Sequence, residues 1–215
     1  MDEIIKKYPL LNQLNVSRET YNDFEKFISM IIDKNEEINI ISNESAKEEV
    51  IRDRHIIDSA QVIDFVDLNS EIITDIGSGG GMPGIIISIM TKNKKNCPKM
   101  HLYEKSHHKS VFLRKISREL KLNTEIIQKN IFEAQKLESG TIMARAFKPL
   151  PIVLDLVYKN FSNYKNLILF MGKNGEKILE DALKNWDFNF EKKKSITSEG
   201  SFILNIKNIT KKDKY

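Results

Sequence analysis

The stretch TDIGSGGGMPGI, residues 74–85, holds five of the nine glycines of this 215-residue chain. It follows a short apolar segment, EIITDIG, and leads into another, PGIIISIM, with Pro83 near its start. Glycine permits sharp turns and close approach of a ligand to the backbone, and proline is tolerated in the first turn of a helix. The order of strand, glycine loop and helix therefore predicts a site where a ligand touches the main chain.

One pattern within the loop is G-x-G-x-x-G, formed by Gly79, Gly81 and Gly84. Dinucleotide-binding loops share this pattern, and their pyrophosphate lies at the start of the following helix. Glu104 follows Gly84 by twenty residues, a spacing at which an acid can bind a ribose hydroxyl. A nicotinamide-dependent oxidoreductase is thus one function that the loop allows, although the chain lacks a Tyr-x-x-x-Lys pair for proton transfer.

A second pattern, D-x-G-x-G-x-G, begins at Asp75 and continues through Gly77, Gly79 and Gly81. The carboxylate of Asp75 would repel a pyrophosphate and attract a cation. S-adenosylmethionine is a sulfonium cation without phosphate, so the glycines would serve close approach to its methionine and ribose. In this frame Glu104 would accept hydrogen bonds from the ribose hydroxyls, and we favour S-adenosylmethionine as the cofactor.

The loop QKNIFEA, after the third predicted strand, is expected to lie beside the adenine of that cofactor. Ile131 or Phe132 could pack against the adenine ring. Glu133 could accept a hydrogen bond from the adenine amino group, or it could be an acid favoured at a helix start by the helix dipole. His107 and His108 are adjacent and lack metal-ligand spacing, so no metal site is predicted.

The methyl acceptor is predicted partly from what the chain lacks. ARAFKPLP stands where methyltransferases of exocyclic base amines carry [DNS]-P-P-[YFW], and Cys97 precedes the second strand, at the wrong edge of the sheet for a nucleophile. Guanine N7 has an unprotonated lone pair and needs no base, so positioning would supply most of the catalysis. Arg145 in ARAF and Lys173 in FMGKNG are the candidate catalytic residues, which would hold RNA phosphate or guanine O6. A surface arginine paired with an acid is the alternative for Arg145.

The remaining chain supplies the elements that position these residues. Residues 1–69 carry helical periodicity and predict an N-terminal helical lobe, in which Ser45 and Glu48 would form a capping box. Residues 70–215 alternate strands and helices, which predicts a parallel sheet covered on both faces. No helix separates the last two strands, so the final strand should run antiparallel. We predict an α/β fold: a Rossmann-like class I methyltransferase domain with a seven-stranded, mostly parallel sheet.

Composition narrows the class of protein. The formal net charge is +4 and the mean hydropathy is -0.38. A mildly basic chain permits a nucleic-acid partner without requiring one. The single cysteine excludes an internal disulfide, and no apolar run approaches the roughly 20 residues that span a bilayer. We expect a soluble, cytoplasmic monomer without membrane association.

Four blocks of the sequence occur in an informative order. RHIIDSA resembles an R/K-H-x-x-D-S block, and DIGSGGGMPGI resembles D-x-G-[ST]-G-x-G-x-P-G-[IVL]. EKSHHKSVFLRKISREL resembles an acid followed by a lysine and an F-L-R helix, and ARAF resembles S-R-A-F. Together they make the chain similar to the bacterial 16S rRNA guanine-N7 methyltransferase family, called RsmG or GidB, over roughly residues 31–170.

The resemblance implies S-adenosylmethionine-dependent methylation of N7 of one guanosine, position 527 in the 530 loop of 16S rRNA, with the small ribosomal subunit as partner. It implies cofactor contacts at Gly77, Met82, Phe132, Glu133 and Arg145, and the loop-end positions of the family add Gly79 and Glu104. The chain departs from the family pattern at Ala144, Lys105 and His108. A methyltransferase of another substrate, or a binding module without catalysis, stays an open alternative.

Overall fold

The N-terminal part of the chain is helical. The computed structural model describes residues 3–14 and 16–212. The first helices are α1 (Glu3–Lys6), α2 (Arg18–Asn35), α3 (Glu48–Ile51) and α4 (Asp58–Ala60). Turns of 3₁₀ helix cover Pro9–Leu14, Asn43–Ser45 and Gln61–Phe65, and a π-helix covers Arg52–Ile57. Residues 48–65 therefore form one helical path whose hydrogen-bonding pattern changes along its length.

Helix α2 illustrates how an apolar stripe fixes this part of the molecule. Ser17 caps its start, where the Oγ atom accepts a hydrogen bond from the backbone N–H of Thr20 at 3.3 Å. Phe24, Phe27 and Ile31 recur at three- and four-residue spacing and are buried. This spacing places them on one side of the helix, which packs against the rest of the protein.

The predicted capping box at Ser45 is wrong. Helix α3 begins at Glu48, its N-cap residue is Lys47, and no side chain caps it. Ser45 lies in the preceding 3₁₀ turn, where its hydroxyl and its backbone N–H both bond to Ser42 at 2.9 Å. Serine can satisfy backbone groups in a local turn as well as at a helix start, and at this position it does the former.

The second part of the chain alternates strands and helices. The strands are β1 (Ile72–Ile76), β2 (Lys99–Tyr103), β3 (Thr124–Ile127), β4 (Leu137–Glu138), β5 (Thr141–Ala144), β6 (Phe161–Ser162), β7 (Asn166–Met171), β8 (Trp186–Lys194) and β9 (Phe202–Lys211). The helices are α5 (Gly84–Thr91), α6 (His107–Glu119), α7 (Leu150–Asn160) and α8 (Gly175–Leu183), and a 3₁₀ turn covers Ile131–Glu133.

The main sheet confirms the predicted topology. Its seven strands have the order β3-β2-β1-β5-β7-β9-β8. All neighbours pair in parallel except β9, which is antiparallel to both β7 and β8. The strand order reverses between β1 and β5, and ligands of open α/β sheets bind at the carboxyl edge of such a switch point. The sequence did not predict the separate two-stranded ladder of β4 and β6.

Two hydrophobic clusters cover the two faces of the sheet. One combines the N-terminal helices with α5 and α6, so that Phe27 of α2 and Ile87 of α5 belong to the same buried cluster. The other combines α7 and α8 with the opposite face, including Leu154 and Leu179. The predicted boundary at residue 69 thus marks a change of secondary structure, and described residues on either side of it share a core. Within residues 3–14 and 16–212, no helix is long and apolar enough to cross a membrane.

Candidate active site

A cavity of about 440 Å³ opens at the carboxyl edge of β1, β2 and β5. We call it the cofactor cavity. Its lining comes from the glycine loop after β1, the end of β2, the turn after β3 and the loop after β5, with additions from the N-terminal helices. Five of the predicted site residues lie in this lining besides Arg145: Gly77, Gly79, Met82, Glu104 and Phe132. The sheet therefore brings together residues that are far apart in the sequence.

Positive backbone dihedrals explain why the loop needs glycine. Gly77, Gly79 and Gly81 have φ angles of 71°, 55° and 96°, in the left-handed region that side chains rarely adopt. A Cβ on Gly77 would lie 2.3 Å from Cδ2 of Phe147, whereas a Cβ on Gly79 would meet only its own loop, 3.8 Å from the carbonyl oxygen of Gly77. Gly77 thus allows close packing under the loop, and Gly79 leaves bare backbone facing the cavity.

Asp75 lies beneath the loop and outside the lining of the cavity. Its Oδ2 atom accepts a hydrogen bond from the backbone N–H of Gly84 at 3.0 Å, which ties the end of β1 to the start of α5. Its Oδ1 atom is buried and has no hydrogen-bond partner among the described residues. Burial raises the pKa of Asp75 to about 7, against the opposing effect of the Gly84 N–H. An orphaned carboxylate oxygen beneath the loop fits a cationic ligand above it.

Glu104 follows β2 and faces the cofactor cavity. Its Oε2 atom accepts a hydrogen bond from the backbone N–H of Gly79 at 2.9 Å, and its Oε1 atom accepts one from the N–H of Ser106 at 2.7 Å. These bonds fix the carboxylate, whose side chain is almost fully buried. Each oxygen keeps a further lone pair, so the group can still accept hydrogen bonds from a diol.

The turn after β3 provides an apolar wall. Ile131 is buried in the lining, and Phe132, which is 42% exposed, stacks on Phe147 with ring centroids 5.9 Å apart. Asn130 caps this turn and donates from Nδ2 to Oε1 of Glu133 at 3.2 Å. Glu133 is exposed and lies outside the lining. The structure thus places Phe132 at the cavity and Glu133 on the neighbouring surface.

Arg145, directly after β5, is held by the helical path of residues 48–65. Its Nη2 atom donates to the carbonyl oxygen of Arg54 at 2.6 Å and to Nδ1 of His55 at 3.1 Å. Its Nη1 atom donates to Oγ of Ser59 at 3.3 Å, and Oδ2 of Asp58 lies 3.4 Å from Nη2. The guanidinium is therefore fixed by several partners rather than by one surface acid. Its Nε–H and one Nη1–H stay available as donors.

His55 is a site residue to which the sequence reasoning gave no role. Because Arg145 can only donate, Nδ1 of His55 must accept, and the proton is assigned to Nε2. The Nε2 atom is buried without a hydrogen-bond partner among the described residues, and the ring lines the cofactor cavity. Burial, with the positive charges of Arg145 and Arg54, lowers the pKa of His55 to about 4. The imidazole is therefore neutral at physiological pH.

A second cavity of about 340 Å³ shares Arg145 in its lining. We call it the outer cavity. It is lined by Arg54 and Asp58 from the helical path, by the end of β7 and by the turn between β8 and β9. Lys173 is exposed outside the lining of both cavities, near the β8–β9 turn, with Cγ 3.6 Å from where a Cβ on Gly200 would stand. The structure does not bring Lys173 and Arg145 into one cavity.

Lysines surround the mouth of the cofactor cavity. This lysine rim consists of Lys105, Lys109, Lys129 and Lys148, which all contribute to the lining. In the part of the chain that the structure describes, no acidic side chain forms an ion pair with any of them. The rim is therefore an uncompensated positive surface, although the net charge of the chain is small. Sequence reasoning missed it because the lysines come from four separate loops and helices.

The fold is that of a Rossmann-like class I methyltransferase, and the family match described below shows that the cofactor is S-adenosylmethionine. Solved structures of the 16S rRNA methylase RmtB and of the M. jannaschii tRNA m1G37 methyltransferase share the fold, both with a TM-score of 0.52. RmtB is 11% identical, and the match covers 89% of this chain and 75% of RmtB. The tRNA methyltransferase is 17% identical, and the match covers 73% of this chain and 49% of that one.

The chain belongs to the GidB family, rRNA small subunit methyltransferase G, whose family model matches residues 20–206. It is 76% identical over 213 residues to ribosomal RNA small subunit methyltransferase G of Pelagibacter ubique, covering 99% of this chain and 100% of that relative. The protein of the same name from Rickettsia rickettsii is 33% identical, with 92% of this chain and 99% of the relative covered. The sequence resemblance is thus confirmed, and the frame of the glycine loop that begins at Asp75 is the one that applies.

Proposed function

We propose that this chain transfers the methyl group of S-adenosylmethionine to N7 of a single guanosine in small-subunit rRNA, position 527 in the 530 loop of 16S rRNA. The observation that carries the reaction class is that no described residue lining the cofactor cavity, where the methyl donor binds, offers a free general base. Glu104 is already bound by two backbone N–H groups, and Nδ1 of His55 accepts from Arg145. Burial raises the pKa of Tyr103, so its hydroxyl keeps its proton.

An acceptor that carries no proton fits such a site. Guanine N7 offers a lone pair at neutral pH, and its methylation releases no proton, so a base is unnecessary. Exocyclic amines and hydroxyls would need one. Catalysis would then come from proximity and orientation of two bound partners, which can supply a large part of the rate enhancement.

Bound S-adenosylmethionine supplies an electrophilic methyl group on a sulfonium centre. The residues of this chain bind and orient it: Glu104 accepts from the ribose hydroxyls, Ile131 and Phe132 pack on the adenine, and Gly77 and Gly79 admit the ligand to the backbone. In this proposal Asp75 acts from beneath the loop, by tying β1 to α5 and by placing a carboxylate under the cation. We assign Glu133 no direct contact, because it lies outside the cavity.

The lysine rim supports an RNA substrate. Unpaired lysines around a cavity mouth attract phosphates and release counterions when RNA binds. Phosphate contacts of this kind position the nucleic acid, and the cavities would then select the base. We infer that Lys173, exposed beside the β8–β9 turn, contributes to this surface and makes no contact with the reacting atoms. The proposed partner is the small ribosomal subunit in the cytoplasm, approached by a monomer.

The proposal is tested with purified protein, radiolabelled S-adenosylmethionine and small ribosomal subunits from cells that lack this activity. We expect one labelled guanosine, mapped by chain cleavage at N7-methylguanosine. Subunits from cells that have the activity are the matched control and should accept no label. Cofactor binding without any transfer would overturn the proposed substrate and keep the fold assignment. Label on a base amine or a ribose would overturn the argument from the missing base.

A further inference from the structure

The outer cavity has a polar lining that the bound cofactor does not need. It lies at the same edge of the sheet as the cofactor cavity, and Arg145 lines both. We propose that the outer cavity binds the acceptor guanine and that Asp58 selects it by accepting hydrogen bonds from N1–H and the N2 amino group. This inference rests on the proposed function and adds the residue that recognises the base.

Asp58 is held in place by bonds to only one of its two oxygens. Its Oδ1 atom accepts from Nε2 of Gln61 and from Oγ1 of Thr197, both at 2.8 Å. Those bonds use the lone pairs of Oδ1. Among the described residues, the one recorded partner of its Oδ2 atom is Nη2 of Arg145 at 3.4 Å, beyond a normal charge-assisted hydrogen bond. Oδ2 therefore keeps its capacity to accept, and the side chain, which is 16% exposed, lines the outer cavity.

Other residues of the outer cavity suit a flat ring. Phe170, at the end of β7, lines the cavity, and Cζ of Arg145 lies 5.6 Å from the centroid of its ring. Ser198 and Ser201 in the β8–β9 turn add hydroxyl groups to the lining. Aromatic and guanidinium surfaces next to a few hydroxyls are the usual surroundings of an unstacked RNA base. A volume of about 340 Å³ can hold a purine.

The chemistry of the base matches a carboxylate. Guanine presents the N1–H and N2–H donors side by side on its Watson–Crick edge, and Oδ2, the oxygen of Asp58 that keeps its lone pairs, can accept from both as a shared acceptor. Adenine has an unprotonated N1 at that place, whose lone pair would face the negative charge of Asp58. A base held through N1 and N2 leaves N7 free, since N7 lies on the other ring. The same carboxylate therefore selects the base and keeps its nucleophilic atom unobstructed.

The carboxylate also suits the charge change of the reaction. A bond forms between N7 and the methyl carbon, the carbon–sulfur bond breaks with its electron pair on sulfur, and no proton leaves. Positive charge thus moves from the sulfonium to the purine. The developing cation makes N1–H a stronger donor, so its hydrogen bond to Asp58 tightens in the transition state. Asp58 would affect the methylation rate as well as the binding of the base.

The first test measures nucleotide binding without methyl transfer. Guanosine 5′-monophosphate, inosine 5′-monophosphate and adenosine 5′-monophosphate are titrated into the full chain with S-adenosylhomocysteine present, by saturation-transfer NMR. For the wild type we expect guanosine to bind about 10-fold more tightly than adenosine, with inosine, which lacks the N2 amino group, in between. Equal binding of the three nucleotides by the wild type would overturn the proposal without any variant having to fold.

The second test removes the charge of Asp58. Asp58→Asn keeps an oxygen for Gln61 and Thr197, and we expect it to lose the preference for guanosine and to methylate subunits about 100-fold more slowly. Its affinity for S-adenosylhomocysteine should stay within about twofold of the wild type. Asp64→Asn is the matched control, because Asp64 follows on the same helical path and pairs with Lys193 outside the outer cavity. An Asp58→Asn variant with wild-type guanosine preference and rate would refute the assignment.

The proposed function and the proposed guanine site can fail separately. If wild-type protein labels no guanosine in subunits, the proposed function fails, whatever the nucleotide titrations show. If the wild type labels the guanosine while the nucleotide preference is absent and Asp58→Asn turns over normally, only the guanine site fails. Thr197→Val gives a graded check, because it loosens one of the bonds on Oδ1 while keeping the carboxylate. We expect it to lower the methylation rate less than Asp58→Asn does.

Discussion

The two cavities that Arg145 lines are built from different parts of the protein. The cofactor cavity includes a glycine loop that contributes main chain, and the N–H of Gly79 donates a hydrogen bond to the carboxylate of Glu104. The outer cavity is made of side chains from a helical path, a strand end and a distant hairpin turn. A loop that offers its backbone to a ligand depends on glycines at consecutive positions, which the sequence shows. A cavity lined by side chains from distant segments depends on how the chain folds.

The glycine loop and the helical path each place one buried titratable group near Arg145. Asp75 lies under the glycine loop, and burial raises its pKa to about 7. His55 lies on the helical path, and burial lowers its pKa to about 4. Both shifts favour the neutral form, because a low-dielectric environment disfavours either charge. His55 is therefore neutral at physiological pH, whereas Asp75 is partly ionised and becomes fully ionised most easily when a cationic ligand binds above it.

The largest effect is expected from closing the space under the glycine loop. Gly77→Ala would place a methyl group 2.3 Å from Phe147 at a positive φ angle, so the loop cannot keep its conformation. We expect S-adenosylmethionine affinity, measured by isothermal titration calorimetry, to fall about 100-fold or more. Gly172→Ala is the matched control for cofactor affinity, because a Cβ there meets nothing within 4 Å. Equal affinity of both variants would show that the loop does not form the cofactor site.

The next largest effect is expected from replacing Arg145, which should impair the function of both cavities. Arg145→Ala removes the donor to the carbonyl of Arg54 and to His55, and it removes a side chain that lines both cavities. We expect methylation to fall about 100-fold and the KM values for cofactor and RNA both to rise. The protein should stay folded, with a loss of about 1–3 kcal/mol for the unpaired groups. Arg145→Lys restores the charge without the planar fork and should recover only part of the activity.

A change in only one KM would contradict this shared role. If the Arg145→Ala variant loses only cofactor affinity, Arg145 belongs to the cofactor cavity alone. If it loses only RNA affinity, Arg145 serves the outer cavity alone. Thermal unfolding of each variant, followed by circular dichroism, separates these outcomes from a general loss of structure.

The sequence predicted the cofactor cavity better than the outer one for a physical reason. Gly77 and Gly79 are predictable because backbone conformation depends on the residue itself, and Glu104 is predictable because it ends a strand. His55 and Asp58 meet Arg145 across roughly ninety residues of sequence, through a π-helix that the helical periodicity did not reveal. Their block, RHIIDSA, indicated the family but gave its residues no function. The fold shows that the block lies at the carboxyl edge of the sheet.

The secondary-structure predictions also divide into those that depend on local sequence and those that depend on packing. The mostly parallel sheet and the antiparallel β9 were predictable because the alternation of strands and helices and the connection lengths leave few topologies. The Ser45 cap was wrong because a serine hydroxyl serves a turn and a helix start equally well. Lys173 and Glu133 follow the correct strands, but where a side chain points after a strand end depends on packing around the loop, which the sequence does not specify.

A smaller effect is expected in the pH dependence of stability. The raised pKa of Asp75 gives a contribution that is complete below about pH 4 and is lost as the pH rises towards 7. The lowered pKa of His55 gives a contribution that is present above pH 6.5 and is lost as the pH falls towards 4. The two slopes oppose each other, so wild-type stability should vary little between pH 4.5 and 6.5 on account of these groups, by about 1 kcal/mol.

Single variants should reveal how each group makes the free energy of unfolding depend on pH. Asp75→Asn removes the falling contribution, so its free energy of unfolding, measured with urea, should rise with pH relative to the wild type. His55→Gln removes the rising contribution, so its free energy of unfolding should fall with pH relative to the wild type. Each relative change should be on the order of 2 kcal/mol over this range. Parallel pH curves for the wild type and both variants would show that neither group titrates differently in the folded protein.

The smallest effect per substitution should come from the lysine rim, since each lysine is only one of several phosphate contacts. Lys129→Gln or Lys148→Gln should reduce the slope of log affinity against log salt by about 0.7 for single-stranded RNA. Lys95→Gln is the control, because Lys95 lies in the exposed connection before β2, at the opposite edge of the sheet. Filter binding of a 530-loop RNA between 50 and about 200 mM salt measures the slopes. If Lys95→Gln changes the slope as much as Lys129→Gln does, the RNA follows total charge instead of the rim, and the cavities alone must select the target guanosine.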